Sequence, residues 1–474
     1  MLAPVSDARP KAAPAVPVAA TPVAPPVPEA LGPTAPVLSD GATWSPDGAV
    51  WARYRELAHA DQAHIYGRLV ELCDGAGNRL AGSPGQKRAE AIGGKWLEAD
   101  GLKVLRDPVK LPAWIRGEAE LTMLSPRAEA LPLLALGNSV GTPEGGVDAP
   151  VVVIRDFAEL SPAVKGKIVL YNHPMVPGTP SIDHYGDAVA YRAGGASKAA
   201  AFGAVAVLVR SVTTRSLSTP HTGVLGYDDA QPKVAAAAIT PEDADRIARL
   251  AAAGEVRLHL RITAHMEPDV DGLNVIGELR GSTWPDEIVV VGGHLDSWDV
   301  GQGAADDGAG VVESVEALRL VAKQGQPKRT IRVVLFANEE NGLRGGKGYF
   351  AEHGTEHHVA AVESDLGGGG PRGWGFTASP EQRAWLDPML KGAGMFVKEE
   401  GGGADISLLV NDGVLGIGLL PDDSHYFDVH HTAADTVDKI DPAALADSTG
   451  AIAALLDQLA NAPAAPAKAP VRTK

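Results

Sequence analysis

One stretch, Val289–Gly310 with the sequence VVVGGHLDSWDVGQGAADDGAG, constrains this chain more than any other. Ile288 to Val291 is a short β-branched run closed by Gly292 and Gly293, the pattern of a parallel strand buried on both faces. In open α/β sheets, ligands gather beyond the carboxyl ends of such strands. His294, Asp296, Asp306 and Asp307 therefore fall where chemistry is expected.

The surrounding pattern agrees. After Asp271 the segments GLNVIGELRG, DEIVVVGGH, TIRVVLFAN, AAVESDL and VLGIGLLP alternate with helical patterns, which predicts an α/β fold with a mixed, mostly parallel sheet and helices on both faces. A helix is expected from Asp306 onward, with Val311, Val315, Leu318 and Ala322 inward. The last helix should start at Asp441 as cap with Pro442 in its first turn. Upstream, a helix from Trp51 carries Ile65, Leu69 and Leu72 on one face, a second follows Ser83 and Pro84, and LKVLRDPV reads as a strand. Between about Trp114 and His265 the texture changes to short β-branched runs separated by Gly and Pro: VVVIRDF, KGKIVLYN, AVAVLVRS, KVAAAAIT and VRLHLRI, with ASKAAAFGA as a small-residue helix. The expected organisation is a disordered Ala/Pro-rich leader over 1–45, a first catalytic part over 46–113, a β-rich insert over 114–268, a second catalytic part over 269–462 and a flexible tail over 463–474.

A net charge of −17 argues against nucleic acid and anionic membrane as partners, because both require a basic face. Cys73 is the only cysteine, which excludes an internal disulfide and a cysteine-ligated zinc site. No run reaches the roughly 18 apolar residues of a membrane span. Residues 1–37 hold no continuous apolar segment of the kind a signal peptide needs.

Four predicted strand ends deliver metal-type ligands: His294 with Asp306, Glu339 with Glu340, Asp365, and His431. Imidazole and carboxylate suit zinc, and open positions for water mark a catalytic site. Two ions about 3.5–4 Å apart can share one bridging carboxylate, for which Asp306 is the candidate. Asp306, Glu340 and Asp365 with one hydroxide would neutralise two divalent ions. Glu339 is then surplus as a ligand. It is the natural general base, since adjacent strand-end residues point in opposite directions.

The pieces HLDSWDVGQGAADDG, ANEENGLRG, ESD and HHTAADT, in this order, resemble the M28 family of co-catalytic zinc peptidases. They look most like its plasma glutamate carboxypeptidase branch, also called carboxypeptidase Q. KGKIVL followed by a helix ending in GAVAVLV resembles the protease-associated domain, a module inserted in several peptidase families. The resemblance implies two Zn2+ per chain, one held by His294 and Asp365, the other by Glu340 and His431, with Asp306 between them. It further implies that Asp296 accepts the second imidazole proton of His294 and that Glu339 takes a proton from the bridging water and returns it to the leaving amine. His430 stands where some relatives carry an oxyanion-supporting tyrosine. The expected substrate is a dipeptide or short peptide; an acidic site favours an α-amino group, while the branch name points to the carboxyl end. A secreted or periplasmic enzyme follows from the resemblance, and a homodimer from it alone. The competing readings are a catalytically dead receptor on the same fold and a single-zinc glutaminyl cyclase.

Other candidates read as structural. Asp307 and Asp405 are expected to be helix caps, and the histidines of HGTEHH (353–358) to lie in a solvated turn at the far end of the sheet. His425 and Tyr426 are expected either to touch substrate or to support a loop. GNSVG around Ser139 matches the serine-hydrolase pattern, but TPEGGVDAP after it cannot form the helix a nucleophile elbow needs. GLRGGKGYF lacks the Ser or Thr of a phosphate-binding loop.

Overall fold

The computed structural model describes residues 48–471 except 179 and 216. The whole of the expected leader, 1–45, and the last three residues of the expected tail lie outside the described residues.

Helices α1 (Ala49–Ala60), α2 (Gln62–Ala76) and α3 (Pro84–Ala99) precede strand β1 (Lys103–Ile115). The single helix expected from Trp51 breaks at Asp61, whose carboxylate holds Arg319 Nη2 at 3.0 Å and Lys323 Nζ at 2.7 Å. Ser83 caps α3 by accepting from the Gln86 amide. After an intervening region the main sheet resumes with β10 (His265–Leu279) and β11 (Trp284–His294), and α6 (Ala309–Gln324) and β12 (Arg329–Phe336) follow. Next come α7 (Arg344–His353), β13 (His357–Glu363), β14 (Pro371–Thr377), α8 (Pro380–Leu390) and β15 (Phe396–Glu399). The chain ends through α9 (Ser407–Asn411), β16 (Leu415–Pro421), α10 (Tyr426–Val429) and α11 (Pro442–Asn461).

The strand order is β1-β10-β12-β11-β13-β16-β14-β15. The central four, β12, β11, β13 and β16, run parallel, and antiparallel pairings flank them. On β11, Val289 and Val291 pack into a core with α1, α2, α6 and α11, while Ile288 and Val290 pack into a second core with α7 and α9. That two-sided burial is why the strand reads as an unbroken apolar run. Strands β14 and β15 were not expected; they are short, and glycines interrupt β14.

The chain leaves this sheet along β1 and returns along β10, paired from Lys103↔Glu278 to Ile115↔His265. Between them lies a second eight-stranded sheet. It comprises β2 (Ala119–Ser125), β3 (Glu129–Leu131), β4 (Leu133–Ala135), β5 (Val147–Ile154), β6 (Ile168–Tyr171), β7 (Ala206–Arg210), β8 (Ala236–Ile239) and β9 (Arg257–Ile262), with helices α4 (Tyr185–Ala200) and α5 (Pro241–Ala253). Helix α5 was not expected. Thr240 caps it and Pro241 opens it, a start signal masked by the apolar KVAAAAIT just before. Trp298, from the loop after β11, is buried in the core of this second sheet, edge-on to Trp114 with centroids 6.4 Å apart. A Cβ on Gly137 would stand 1.9 Å from Trp298 Cη2, so only glycine lets the two sheets meet there.

Two structural expectations need correction. His353 and His358 are buried rather than in a solvated turn: His353 Nε2 is 2.7 Å from Asp107 Oδ2, and His358 Nε2 is 2.9 Å from Tyr349 Oη. His358 lies on a strand facing the core, where the alternation of β13 turns it inward. The tail is held at Lys468, whose Nζ is 2.8 Å from Asp412, and at Ala469, whose amide donates to Gly413 O, while Val471 at its described end is exposed.

Candidate metal centre

Strands β11, β12 and β13 end side by side, with His294 opposite Phe336 and Gly292 opposite Glu363. His294 is the last residue of β11, Glu339 and Glu340 follow the end of β12, and Asp365 follows the end of β13. Asp306 arrives from the β11–α6 loop, and His431 follows α10. The helix expected from Asp306 starts later. Asp306 and Asp307 have non-helical dihedrals (φ −130° and −123°) within a short turn over 304–308, and α6 begins at Ala309.

The five expected ligands converge. His294 Nε2 is 3.2 Å from Asp306 Oδ1 and 3.4 Å from Asp365 Oδ1. His431 Nε2 is 3.1 Å from Asp306 Oδ2 and 3.2 Å from Glu340 Oε2. Donors set tetrahedrally about a divalent ion at 2.0–2.1 Å lie roughly 3.3 Å from one another, so both clusters have ligand spacing. Asp306 belongs to both and gives one oxygen to each. Asp306 Oδ2 and Glu340 Oε1 are buried without a hydrogen-bond partner. Each imidazole has its other nitrogen engaged: His294 Nδ1 faces Asp296 O at 3.0 Å, and His431 Nδ1 faces Thr222 O at 3.2 Å. Those carbonyls set the tautomer that leaves both Nε2 lone pairs directed at the carboxylates.

Electrostatics agree with this arrangement. Burial, then the Asp306 charge, pushes Glu340 up to about 7, and burial raises Asp365. Burial opposes the charged form of His431, yet Glu340 and Asp306 lift it to about 9. His294 is raised in the same way by Asp365 and Asp306. Buried acids held up by desolvation, beside imidazoles held up by acids, form a site that stabilises added positive charge. Glu339 is raised well above the carboxylate range, first by burial and then by its acidic neighbours.

The Peptidase_M28 family model matches residues 274–456, the segment that carries all five candidate ligands. Carboxypeptidase Q of Xenopus laevis is 42% identical over 393 residues, covering 80% of this chain and 82% of that one. The human carboxypeptidase Q is 41% identical with the same coverage. The chain belongs to peptidase family M28. Membership and the carboxypeptidase Q relatives make it a metallo-exopeptidase. The crystal structure of a peptidase M28 precursor from Shewanella amazonensis superposes with a TM-score of 0.84 at 35% identity, covering 90% of this chain and all of that one. A zinc aminopeptidase from Bacillus subtilis shares the fold at a TM-score of 0.64 and 20% identity, over 87% of this chain and 98% of that one.

Around the candidate ligands of this M28 chain, several contacts differ from expectation. The carboxylate of Asp296 stands 3.7 Å from His294 Nδ1, farther than its own carbonyl, and instead accepts the Glu339 and Glu340 amides at 2.9 and 3.4 Å. It holds the Glu-Glu turn, because Asn338 before that turn takes a positive φ of 62° and presents both amides together. Asp307 does cap α6, accepting the Gly310 amide at 3.0 Å, and also accepts the His294 amide at 3.1 Å. Asp405 is not a cap. Its carboxylate oxygens are buried without partners, while Glu363 accepts the Asp405 and Ile406 amides at 3.4 and 3.0 Å. His430 stacks on His431 with centroids 3.5 Å apart, its Nε2 is 3.7 Å from Asp306 Oδ2, and its Nδ1 has no partner. With Asp306 and His431 it forms a further trio of ligand type. Burial and the His431 charge keep it well below the usual histidine range, hence neutral. Ser139 is buried, its Oγ engaged by Val140 O and the Ala236 amide.

Four contributors were not expected from the sequence. Asp435 accepts the Ala305 and Asp306 amides at 2.7 and 3.1 Å and so fixes Asp306; it stood inside HHTAADT without a role. Arg79, fully buried, donates to the carbonyls of Leu295, Gln302 and Gly303. Thr222 and Arg192 reach the site from the second sheet. A cavity of about 520 Å³ opens over the cluster, lined by Glu339, Asp365, Tyr426, His430 and the insert residues Tyr185 and Arg192, among others. Tyr426 therefore faces substrate space, whereas His425 is exposed against Asp428.

Proposed function

We propose that this chain is a co-catalytic dizinc exopeptidase acting on dipeptides or short peptides. The observation that carries the reading is Asp306, buried, with one carboxylate oxygen in each of two ligand clusters. His294 and Asp365 would complete one zinc site, and His431 and Glu340 the other. Bound there, the two ions would supply Lewis acidity and lower the pKa of a water to near neutrality. Glu339 lines the cavity beside the cluster. A carboxylate held at raised pKa there accepts a proton from the attacking water and returns it to the departing amine. His430, neutral and lining the same cavity, offers a hydrogen bond to the carbonyl oxygen as it gains charge. Asp296, Asp307 and Asp435 hold the backbone of the Glu-Glu turn, His294 and Asp306. The second sheet is read as a protease-associated domain. Homodimerisation and export to the periplasm or medium belong to the same proposal and are checked by sedimentation and cell fractionation.

Metal analysis and one substitution test it together. About two zinc ions per chain are expected; a reproducible value of one would favour the cyclase reading. Glu339→Gln should keep the metal and lose roughly 10²–10⁴ in turnover. Unchanged turnover would refute its role.

A further inference from the structure

Four of the five candidate ligands are held by the catalytic half of the chain. The Asp307 carboxylate accepts the His294 amide at 3.1 Å, and Asp296 O faces His294 Nδ1 at 3.0 Å. Asp435 accepts the Asp306 amide, and Asp296 accepts the Glu340 amide. Ser364, just before Asp365, donates its amide to Gly292 O at 3.3 Å and its hydroxyl to Glu313 at 2.7 Å. The fifth ligand is held from the other side.

His431 has a φ of +62°, a left-handed conformation that a residue with a side chain keeps only where its surroundings impose it. The catalytic half accepts two amides near it, His430 N on Tyr426 O at 2.9 Å and Thr432 N on Val429 O at 3.0 Å. Both carbonyls of the His-His pair meet the insert instead. His430 O faces His221 Nδ1 at 2.7 Å, and His431 O accepts the Thr222 amide at 3.0 Å. A carbonyl can only accept, so His221 carries its hydrogen on Nδ1. The rear nitrogen of the His431 ring turns to the same segment, 3.2 Å from Thr222 O.

This two-residue clamp is buried and firmly mounted. The His221 amide donates to Ser211 Oγ at 2.8 Å, and that hydroxyl donates to Ile239 O, at the end of β8, at 2.7 Å. Thr222 Oγ1 donates to Ala135 O, at the end of β4, at 2.8 Å. Thr213 reaches the catalytic half as well, with Oγ1 donating to Phe427 O of α10 at 2.6 Å. Trp298, lodged in the core of the second sheet, stands edge-on to the His431 ring with centroids 5.6 Å apart.

We propose that His221 is a positioning residue for one of the two metals: with Thr222 it sets the His431 imidazole, so that the ion shared by His431 and Glu340 binds at full strength only with the clamp in place. The ion shared by His294 and Asp365 does not depend on it. This rests on the dizinc reading and adds an inequality between its two sites. The dependence is reciprocal, because a clamp that strengthens the second ion is itself tightened when that ion binds.

The test is a stepwise zinc titration against a chromophoric chelator, on the full metal-free chain as wild type, His221→Leu and His221→Asn. Leucine leaves His430 O without its donor, whereas asparagine places an amide N–H close to the position of Nδ1. His221→Leu should bind the first ion as wild type does and the second roughly 10- to 100-fold more weakly, the usual range for loss of a group that orients a ligand. His221→Asn should recover most of that loss. A merely structural role would lower the melting temperature of the metal-free protein and weaken both ions together. Equal weakening of the two, or an unchanged second ion in folded His221→Leu, would overturn the proposal. Hydrogen exchange of wild type tests it even where the leucine variant does not fold. The second equivalent of zinc should slow exchange in the peptide that contains His221 and Thr222, and the first should not; exchange indifferent to the second equivalent counts against the clamp. A wild-type chain that takes up a single ion would overturn the dizinc reading and this proposal with it, an outcome visible before any variant is made.

Discussion

Asp435→Asn tests whether the metal cluster is shaped from behind. The carboxylate accepts two buried amides, Ala305 N at 2.7 Å and Asp306 N at 3.1 Å, and both belong to the turn that presents Asp306 to both clusters. Burial pushes Asp435 up to about 7 despite those two bonds, so the acid is held at an energetic disadvantage for the sake of its acceptor pair. Asparagine has the same outline and one acceptor. Whichever way it turns, one amide N–H meets an NH2 group and is left without a partner. A buried donor stripped of its acceptor costs about 1–3 kcal/mol, and the turn can relieve this only by moving Asp306. The expected consequence is metal affinity weaker by roughly 10- to 100-fold, the usual range for loss of a group that orients a ligand. Affinity is read by zinc titration against a chromophoric chelator, and the melting temperature of the metal-free protein separates the fold from the site. Metal affinity within twofold of the parent, with unchanged melting, would refute the argument that Asp435 positions Asp306.

Further outcomes follow from the same contacts. Arg79→Lys should destabilise the protein and loosen metal, since one ammonium cannot serve the three carbonyls of Leu295, Gln302 and Gly303 in the geometry of a guanidinium; melting and metal retention equal to wild type would contradict this. Glu313 is fully buried on α6, accepts from Ser364 Oγ at 2.7 Å, and is pushed by burial from 4.5 to about 8. Its folded-state pKa lies above the unfolded one, so ionisation works against the fold: the penalty is absent below about pH 4.5, grows as pH rises and is complete above about pH 8. Glu313→Gln should therefore stabilise by at most roughly 3 kcal/mol near pH 7 and by nothing near pH 4.5, and a melting difference independent of pH would exclude this origin. Ser139→Ala should retain hydrolysis and lose about 1 kcal/mol of stability with the Ala236 contact; abolished turnover in a folded protein would reopen the serine reading.

The candidate ligands were legible from residue type and, for three of them, from position. His294, Glu340 and Asp365 lie at or just past the end of an apolar strand, whereas Asp306 arrives on the β11–α6 loop and His431 after α10. His294, Asp306, Glu340, Asp365 and His431 meet as that reasoning requires. The caps and turns were less legible. Asp405 and Asp307 both looked like helix caps, yet only Asp307 acts as one, because the same short acid can accept one amide or several and its sequence neighbours do not say which. The Asp296 carboxylate was assigned to an imidazole two residues away, whereas its bonds go to Glu339 and Glu340, more than forty residues on. Periodicity reports which face of an element is buried. It does not report what a buried polar group will find there.

The second sheet shows the same limit and where a signal could still be found. Its strands were drawn from β-branched runs, but what it brings to the cluster includes a carbonyl, Thr222 O, and the Arg192 side chain, neither of which a strand pattern marks. A carbonyl leaves no trace in a sequence. Arg192 does leave one. Helix α4, YGDAVAYRAGGASKAA, buries Ala188, Tyr191, Arg192, Gly195, Ala196 and Ala199, so the arginine falls on the small-residue face that must pack inward. A cation on an inward face needs an anion, and no acid within the helix shares that face: Asp187, the only one, is exposed. The anion has to come from elsewhere. Together with the Trp298 side chain lodged in the second sheet's core, this makes the insert a wall of the site itself, set one histidine ring from the cluster on its far side.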